Sequence, residues 1–225
     1  MNHNNQDLFE KLHFDGFVLF PIDNKNELVN YCINEIKNIS EEKIKEGFYL
    51  DRDAAVGKEG LAADLKPSVF EYDQNLEKFY TEIGVVDFLE EFQNFKSSIA
   101  TLQLRGAYDG SSYLSWHRDT HYYSNAKAPS GNVPPIFKSI FYPNLHGNSA
   151  RPTLHVSNGS HLRYFKNKNV DLMVPRTPFF KKTKVFESND YVLVFNTSIL
   201  HAVLPVSGPP IFRMIAAFKS PKSIN

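Results

Sequence analysis

Within Tyr113-Leu-Ser-Trp-His-Arg-Asp-Thr-His121, two residues are of types that could share one chemical task. His117 and Asp119 lie two positions apart, so on an extended strand they project from the same face. An imidazole and a carboxylate side by side are two arms of a metal claw. The third must come from elsewhere, and His201, in Phe195-Asn-Thr-Ser-Ile-Leu-His-Ala-Val-Leu-Pro205, is the residue chosen for it. Two histidines and one carboxylate on one side of a metal, with positions left open, form the donor set of non-haem Fe(II) oxygenases. Arg213 follows inside an apolar strand, where a guanidinium needs an acidic partner. If the Pro-Val-Ser-Gly-Pro-Pro turn between them makes a hairpin, His201 and Arg213 would face one cavity.

Each piece also has a plainer reading. Eight histidines make a chance His-x-Asp easy to find, and His117 could be a core histidine bonded to Asp119. His201 lies among apolar residues, as a buried structural histidine would. Arg213 could be paired with an aspartate such as Asp190. The order of all four residues is harder to obtain by chance than any one of them.

The elements that must position these residues follow from periodicity. Phe14-Asp-Gly-Phe-Val-Leu-Phe-Pro21 reads as a strand entered through Gly16. Residues 24–39 have helical spacing, with Leu28, Tyr31, Cys32 and Ile36 on one face and a cap at Asp23 or Asn24. Residues 40–70 read as loop plus short helix. Residues 74–95 return to helix, broken near Gly84, with Leu76, Phe79, Tyr80 and Ile83 before the break and Val85, Phe88, Leu89 and Phe92 after it. Beyond Lys96, short β-rich runs separated by Gly, Pro, Asn and Ser predict strands at 98–106, 112–119, 136–143, 152–157, 183–187, 191–196, 199–204 and 211–218. Helices first and strands afterwards indicate an α+β, mainly β, chain with helices packed outside a sandwich or barrel. Residues 1–225 are expected to form one domain, with a strand-plus-helical part over 1–96 and the β core over 97–219. The connections at 120–135 and 163–181 are long enough to border a site.

Charge and composition narrow the partners. The 25 basic and 25 acidic residues cancel, which leaves no basic field for nucleic acid or an anionic membrane. A small-molecule substrate is the expectation. The single cysteine, Cys32, excludes an internal disulfide, the first residues carry no apolar signal core, and no apolar run approaches a membrane span. A cytoplasmic protein is expected.

Four stretches, in order, resemble the phytanoyl-CoA dioxygenase family of Fe(II)/2-oxoglutarate oxygenases, which also includes ectoine hydroxylases. Phe14-Asp-Gly-Phe-Val-Leu-Phe-Pro21 is similar to the family's opening strand, and Trp116-His-Arg-Asp119 to its His-x-Asp strand. Leu154-His-Val-Ser-Asn-Gly-Ser-His161 is similar to its Pro-Gly-Ser-His turn, without the proline. His201 and Arg213 resemble its distal histidine and its 2-oxoglutarate arginine. The resemblance implies a double-stranded β-helix (jelly-roll, cupin-like) core with iron held by His117, Asp119 and His201. It also implies that Arg213 holds the far carboxylate of 2-oxoglutarate. Ile215 departs from the small hydroxyl residue found there in many relatives of the wider superfamily. Because Asp119 is present, a halogenase variant is disfavoured.

The implied activity is O2-dependent hydroxylation of a small polar metabolite, with release of succinate and carbon dioxide. Gln103 and Arg105 share a face by the two-residue period and are further co-substrate candidates, or else face solvent on an edge strand. Tyr108, Tyr122 and Tyr123 could line an entrance or only pack. The same centre could instead desaturate, cyclise or epimerise, and a jelly roll could hold a metal without turnover. Zinc hydrolysis is a further alternative, against which Arg213 weighs, since a hydrolase has no use for a carboxylate fork beside its metal.

Overall fold

The computed structural model describes residues 3–45, 62–65, 74–107, 115–119, 137–147, 149–163, 165, 167–205, 208–209 and 211–218. Among the described residues, nine strands form two antiparallel sheets. The larger, in the order β1-β7-β4-β9-β3-β2, contains β1 (Phe17–Pro21), β2 (Ala62–Leu65), β3 (Ile99–Ala107), β4 (Phe137–Phe141), β7 (Tyr191–Asn196) and β9 (Ile211–Phe218). The smaller, in the order β6-β5-β8, contains β5 (Pro152–Ser157), β6 (Lys182–Phe186) and β8 (His201–Val203).

Strand alternation explains how the layers meet. On β9, Phe212, Met214, Ala216 and Phe218 join a core formed with the helices, while Ile211 and Ile215 join a second core that includes Leu154, Val156 and Val185 of the smaller sheet. The odd-numbered residues of β9 therefore face the space between the sheets. The same space receives Ile140 and Tyr142 from the β4 segment and Leu193 and Phe195 from β7.

The helices cover the outer face of the larger sheet. α2 spans Glu27–Lys45, longer than the expected 24–39. Its cap is Asn26, not Asp23 or Asn24: Asn26 Oδ1 accepts from the amides of Leu28 at 2.8 Å and Val29 at 3.4 Å, while Asp23 closes the preceding turn. The buried stripe is Val29, Cys32, Ile36 and Ser40; Tyr31 is 39% exposed, one helical step off the stripe. α3 (Gln74–Glu82) and α4 (Val85–Gln93) break at Gly84 as expected, and its φ of 85° shows why a glycine serves there. An unforeseen helix, α1 (His3–Phe14), precedes β1 and delays that strand to Phe17. Its Leu12 is buried, and its Phe9 ring lies 5.1 Å from Phe88.

Other expectations are corrected in detail. Of residues 40–70, the described ones, 40–45 and 62–65, hold the end of α2 and the strand β2, which pairs with β3, and the rest of the stretch lies outside the described residues. Within 112–119, the described residues 115–119 form no ladder, only a single bridge from His117 to His201. Far from being irregular throughout, 163–181 contains α5 (Lys168–Met173), capped by Asn167, and a 3-10 turn at Val174–Arg176. Tyr108, Tyr122, Tyr123 and the 120–135 connection lie outside the described residues. β8 and β9 do not form a hairpin: they belong to different sheets, so the turn after β8 carries the chain across the sandwich. Among the described residues, no helix is long and apolar enough to cross a membrane.

Candidate metal centre

The bridge between the 115–119 segment and β8 is what assembles the site. His117 N donates to His201 O at 2.9 Å, and His201 N returns the bond to His117 O at 3.0 Å. Asp119 N donates to Thr197 O at 3.0 Å and fixes the next turn of the segment. Residues directly opposite on such a pair lie close, and the two imidazole centroids are 4.3 Å apart. Asp119 Oδ1 is 3.5 Å from Nε2 of both histidines.

The tautomers follow from the second nitrogen of each ring. His117 Nδ1 lies 2.7 Å from Ser115 O, and His201 Nδ1 lies 3.1 Å from Ile199 O. A carbonyl only accepts, so in each ring the neutral tautomer that keeps its proton on Nδ1 leaves Nε2 as a lone-pair donor. Burial, the largest influence, pushes the His201 imidazole down to about 4, against the pull of Asp119, so it is neutral at pH 7. For Asp119, burial alone would raise the carboxyl. His201, His117 and Lys138 outweigh that effect and hold it well below the usual carboxylate range. Two imidazole nitrogens and a carboxylate oxygen thus converge, and their donor atoms all lie within 4.8 Å of one another. A cation fits this donor set.

The second oxygen of the carboxylate is also engaged. Lys138, on β4, donates from Nζ to Asp119 Oδ2 at 2.9 Å. Sequence reasoning passed over this lysine, although its two-residue spacing from Ile140 and Tyr142 puts it on the inner face.

Behind the site lies a polar clamp that was also missed. Arg118, between the two donors, points the opposite way and is 7% exposed. Its Nε and Nη2 make a two-pronged pair with fully buried Asp171 of α5, at 2.7 and 2.8 Å. Its remaining donors reach the carbonyls of Ser160 and Arg163, each at 3.0 Å, and that of Ser198. The Asn158-Gly-Ser-His161 turn completes the clamp: Ser160 Oγ accepts from Leu200 N at 2.8 Å, immediately before His201. The turn also ties down the N-terminal strand, since Gly159 N donates to Asp15 O at 2.8 Å. A Cβ on Gly16 would stand 2.3 Å from His161 Nδ1, so that packing requires glycine. The sequence signal for the clamp was the arginine itself, because alternation sends it to the face opposite His117 and Asp119.

Arg213 is 4% exposed on the inner face of β9, its guanidinium 5.9 Å from the Tyr142 ring centroid. Among the described residues, no carboxylate lies within ion-pair distance of it. The alternative partner, Asp190, instead accepts from the Asn24 side chain. Register places Arg105 opposite Arg213 and Gln103 opposite Ile215 on the β3–β9 ladder.

No family model matches this sequence, and no curated protein matches it. Solved structures do. AviO1 from Streptomyces viridochromogenes Tue57 is 14% identical with a TM-score of 0.65, over 97% of this chain and 96% of its own. SnoN, a non-haem α-ketoglutarate-dependent epimerase from nogalamycin biosynthesis, is 12% identical at a TM-score of 0.65, over 96% of this chain and 83% of its own. The carbocyclase SnoK, of the same cofactor dependence and pathway, is 12% identical at a TM-score of 0.61, over 95% and 83%. The chain has the cupin-like, double-stranded β-helix fold of these enzymes. SnoN is also known in complex with Fe3+, α-ketoglutarate (2-oxoglutarate) and nogalamycin RO.

Proposed function

We propose that this protein is a non-haem Fe(II)- and 2-oxoglutarate-dependent oxygenase of the phytanoyl-CoA dioxygenase type. In this reading it hydroxylates a small polar metabolite, using O2 and releasing succinate and carbon dioxide. The observation that carries it is the meeting of two imidazole Nε2 atoms with one carboxylate oxygen, each 3.5 Å from it, while both Nδ1 atoms face backbone carbonyls. The fold shared with SnoN and SnoK supports the choice of iron and 2-oxoglutarate over zinc.

Iron chelated by 2-oxoglutarate supplies the activation of O2. The chain's residues have narrower tasks. His117, Asp119 and His201 would hold the iron through one donor atom each, and a chelating 2-oxo acid and O2 would take positions that the chain leaves open. Arg213 presents a planar fork matched to the far carboxylate, from a buried position where no described carboxylate competes for it. Gln103 and Arg105 are the next candidates for that carboxylate or for an acidic group of the substrate. The apolar core between the sheets would limit access of water to the inner side of the site. Zero net charge and a single, buried cysteine, Cys32, fit a cytoplasmic enzyme with a small substrate. Epimerisation or ring closure by the same centre is the second reading, favoured by the activities of SnoN and SnoK.

Anaerobic titration with Fe(II) and then 2-oxoglutarate tests the reading through the visible band of the chelate. Asp119→Ala should abolish stoichiometric iron binding; unchanged iron content would sink the metal assignment, and leave a jelly roll without this centre. Arg213→Gln should keep iron and weaken 2-oxoglutarate by about 1.5–3 kcal/mol, the scale of a charge-assisted bond. Equal affinity in mutant and parent would move the role to Arg105. Screening pooled metabolites for succinate release and product mass then separates hydroxylation from isomerising or cyclising outcomes.

A further inference from the structure

We infer that Lys138 is a positioning residue that restricts Asp119 to donating a single oxygen. The inference rests on the metal reading above and concerns a residue to which that reading gives no task.

The geometry divides the carboxylate in two. Oδ1 faces both imidazole nitrogens at 3.5 Å, whereas Oδ2 receives the Lys138 ammonium at 2.9 Å. A carboxylate left to itself can turn and give both oxygens to one cation. That would take two coordination positions and leave too few for a two-oxygen chelator and O2. With Oδ2 held by an ammonium, only Oδ1 is free to turn toward the histidines.

The position of the lysine argues that this contact matters. Lys138 stands opposite Phe195 on one side and Ala217 on the other, on the inward face of a central strand. The ammonium stands near a site built for another cation, which it repels. Methionine would fill the same space without that cost. The compensating gain is a rigid tie across the sandwich, from the larger sheet to the segment carrying Asp119. The backbone of that segment is fixed by its bridge to β8 and by the Arg118 clamp, but Lys138 is the group that holds Oδ2 itself.

The experiment compares wild type, Lys138→Met and Lys138→Arg, loaded anaerobically with Fe(II) and titrated with either 2-oxoglutarate or pyruvate. Pyruvate chelates through the same two oxygens but has no far carboxylate. Metal content, melting temperature and the visible chelate band are read for each. Lys138→Met should still fold and bind iron, but should form both chelates about 10–100-fold more weakly, the usual cost of losing a partner that orients a metal-binding side chain. Lys138→Arg, which can still reach Oδ2, should recover most of the loss. If Lys138→Met is too unstable to load, Lys138→Gln, which keeps a donor on a shorter stem, takes its place with the same expectation at smaller size. A loss confined to 2-oxoglutarate would overturn the inference and assign Lys138 to the far carboxylate. Unchanged chelation of both acids would overturn it as well. If wild type binds no metal, the proposed function fails, and this inference falls with it.

Discussion

The two sheets build the proposed site by opposite means. The larger sheet is held by long ladders and is apolar on both faces, with Phe141, Leu193, Val194 and Met214 all essentially inaccessible. It contributes Lys138 and Arg213, each standing among apolar neighbours on its inward face. The smaller sheet has three short strands, and the segment bearing His117 and Asp119 is attached to it by one bridge. What holds that segment is side-chain chemistry: Arg118 to Asp171, and Ser160 to both Arg118 and Leu200. The ladder positions the cations, and the clamp positions the three donors. Damage to either region should therefore be distinguishable at equal loss of stability.

The largest effects should come from Phe141→Ala in the first region and Arg118→Met in the second. Phe141 stacks on Phe79 at 5.0 Å, and its truncation should cost about 3–5 kcal/mol through lost packing. Arg118→Met should cost about 3–5 kcal/mol for another reason, because it strands the carboxylate of Asp171 in the interior. Urea unfolding measures both. Metal titration well below the unfolding midpoint should then separate them, with only Arg118→Met losing affinity. The double variant Arg118→Met/Asp171→Leu should regain much of the stability but not the affinity. A Phe141→Ala protein that lost as much metal affinity as Arg118→Met would end the division between ladder and clamp.

The same contrast explains what could be read beforehand. β5, β7 and β9 fall where period-two runs put them, because a strand buried on one or both faces shows itself in local alternation. The spacing of His117 and Asp119 was legible because both point one way. The arginine between them was legible as a residue but not as a clamp, since Asp171 lies on a short helix in a stretch without clear period. The hairpin expected between His201 and Arg213 failed because the turn crosses between sheets, and no local pattern tells a hairpin from a crossover. α1 was overlooked because only Leu8, Phe9 and Leu12 carry its apolar side, within an otherwise polar opening.

Acid should weaken the clamp side before the ladder side. The His201 imidazole sits at about 4 in the folded protein against an ordinary 6.5, so between those values the unfolded chain binds more protons. Stability of the metal-free protein is therefore full above pH 6.5 and falls as pH drops toward 4, by about 3 kcal/mol at about 1.4 kcal/mol for each tenfold change in proton affinity. His161 and His155, both depressed by burial, act in the same direction. Asp119 does not oppose this, because its carboxyl lies below the ordinary carboxylate value and is ionised in both states across most of that window. Chemical denaturation of the metal-free protein at a series of pH values measures the slope, which His201→Gln should flatten. A flat profile in the parent protein would mean that the imidazole is wetter than its burial implies.

The smallest effect is the most specific to the clamp. Ser160 Oγ accepts from Leu200 N, one residue before His201, while its carbonyl accepts from Arg118. Ser160→Ala removes only the first bond and leaves the backbone contact in place. The buried amide of Leu200 then lacks its acceptor, at a cost of about 1–2 kcal/mol. If the clamp sets donor geometry, this modest loss should be accompanied by a drop in metal affinity larger than any core truncation of equal cost produces. Val194→Ala is a suitable reference, since Val194 is fully buried on β7, on the face of the larger sheet turned to the helices and away from the donors. Matched melting temperatures with unequal metal affinities would tie His201 to the serine behind it. Equal affinities would reduce Ser160 to an ordinary structural hydroxyl and leave Arg118 alone to hold the donors in place.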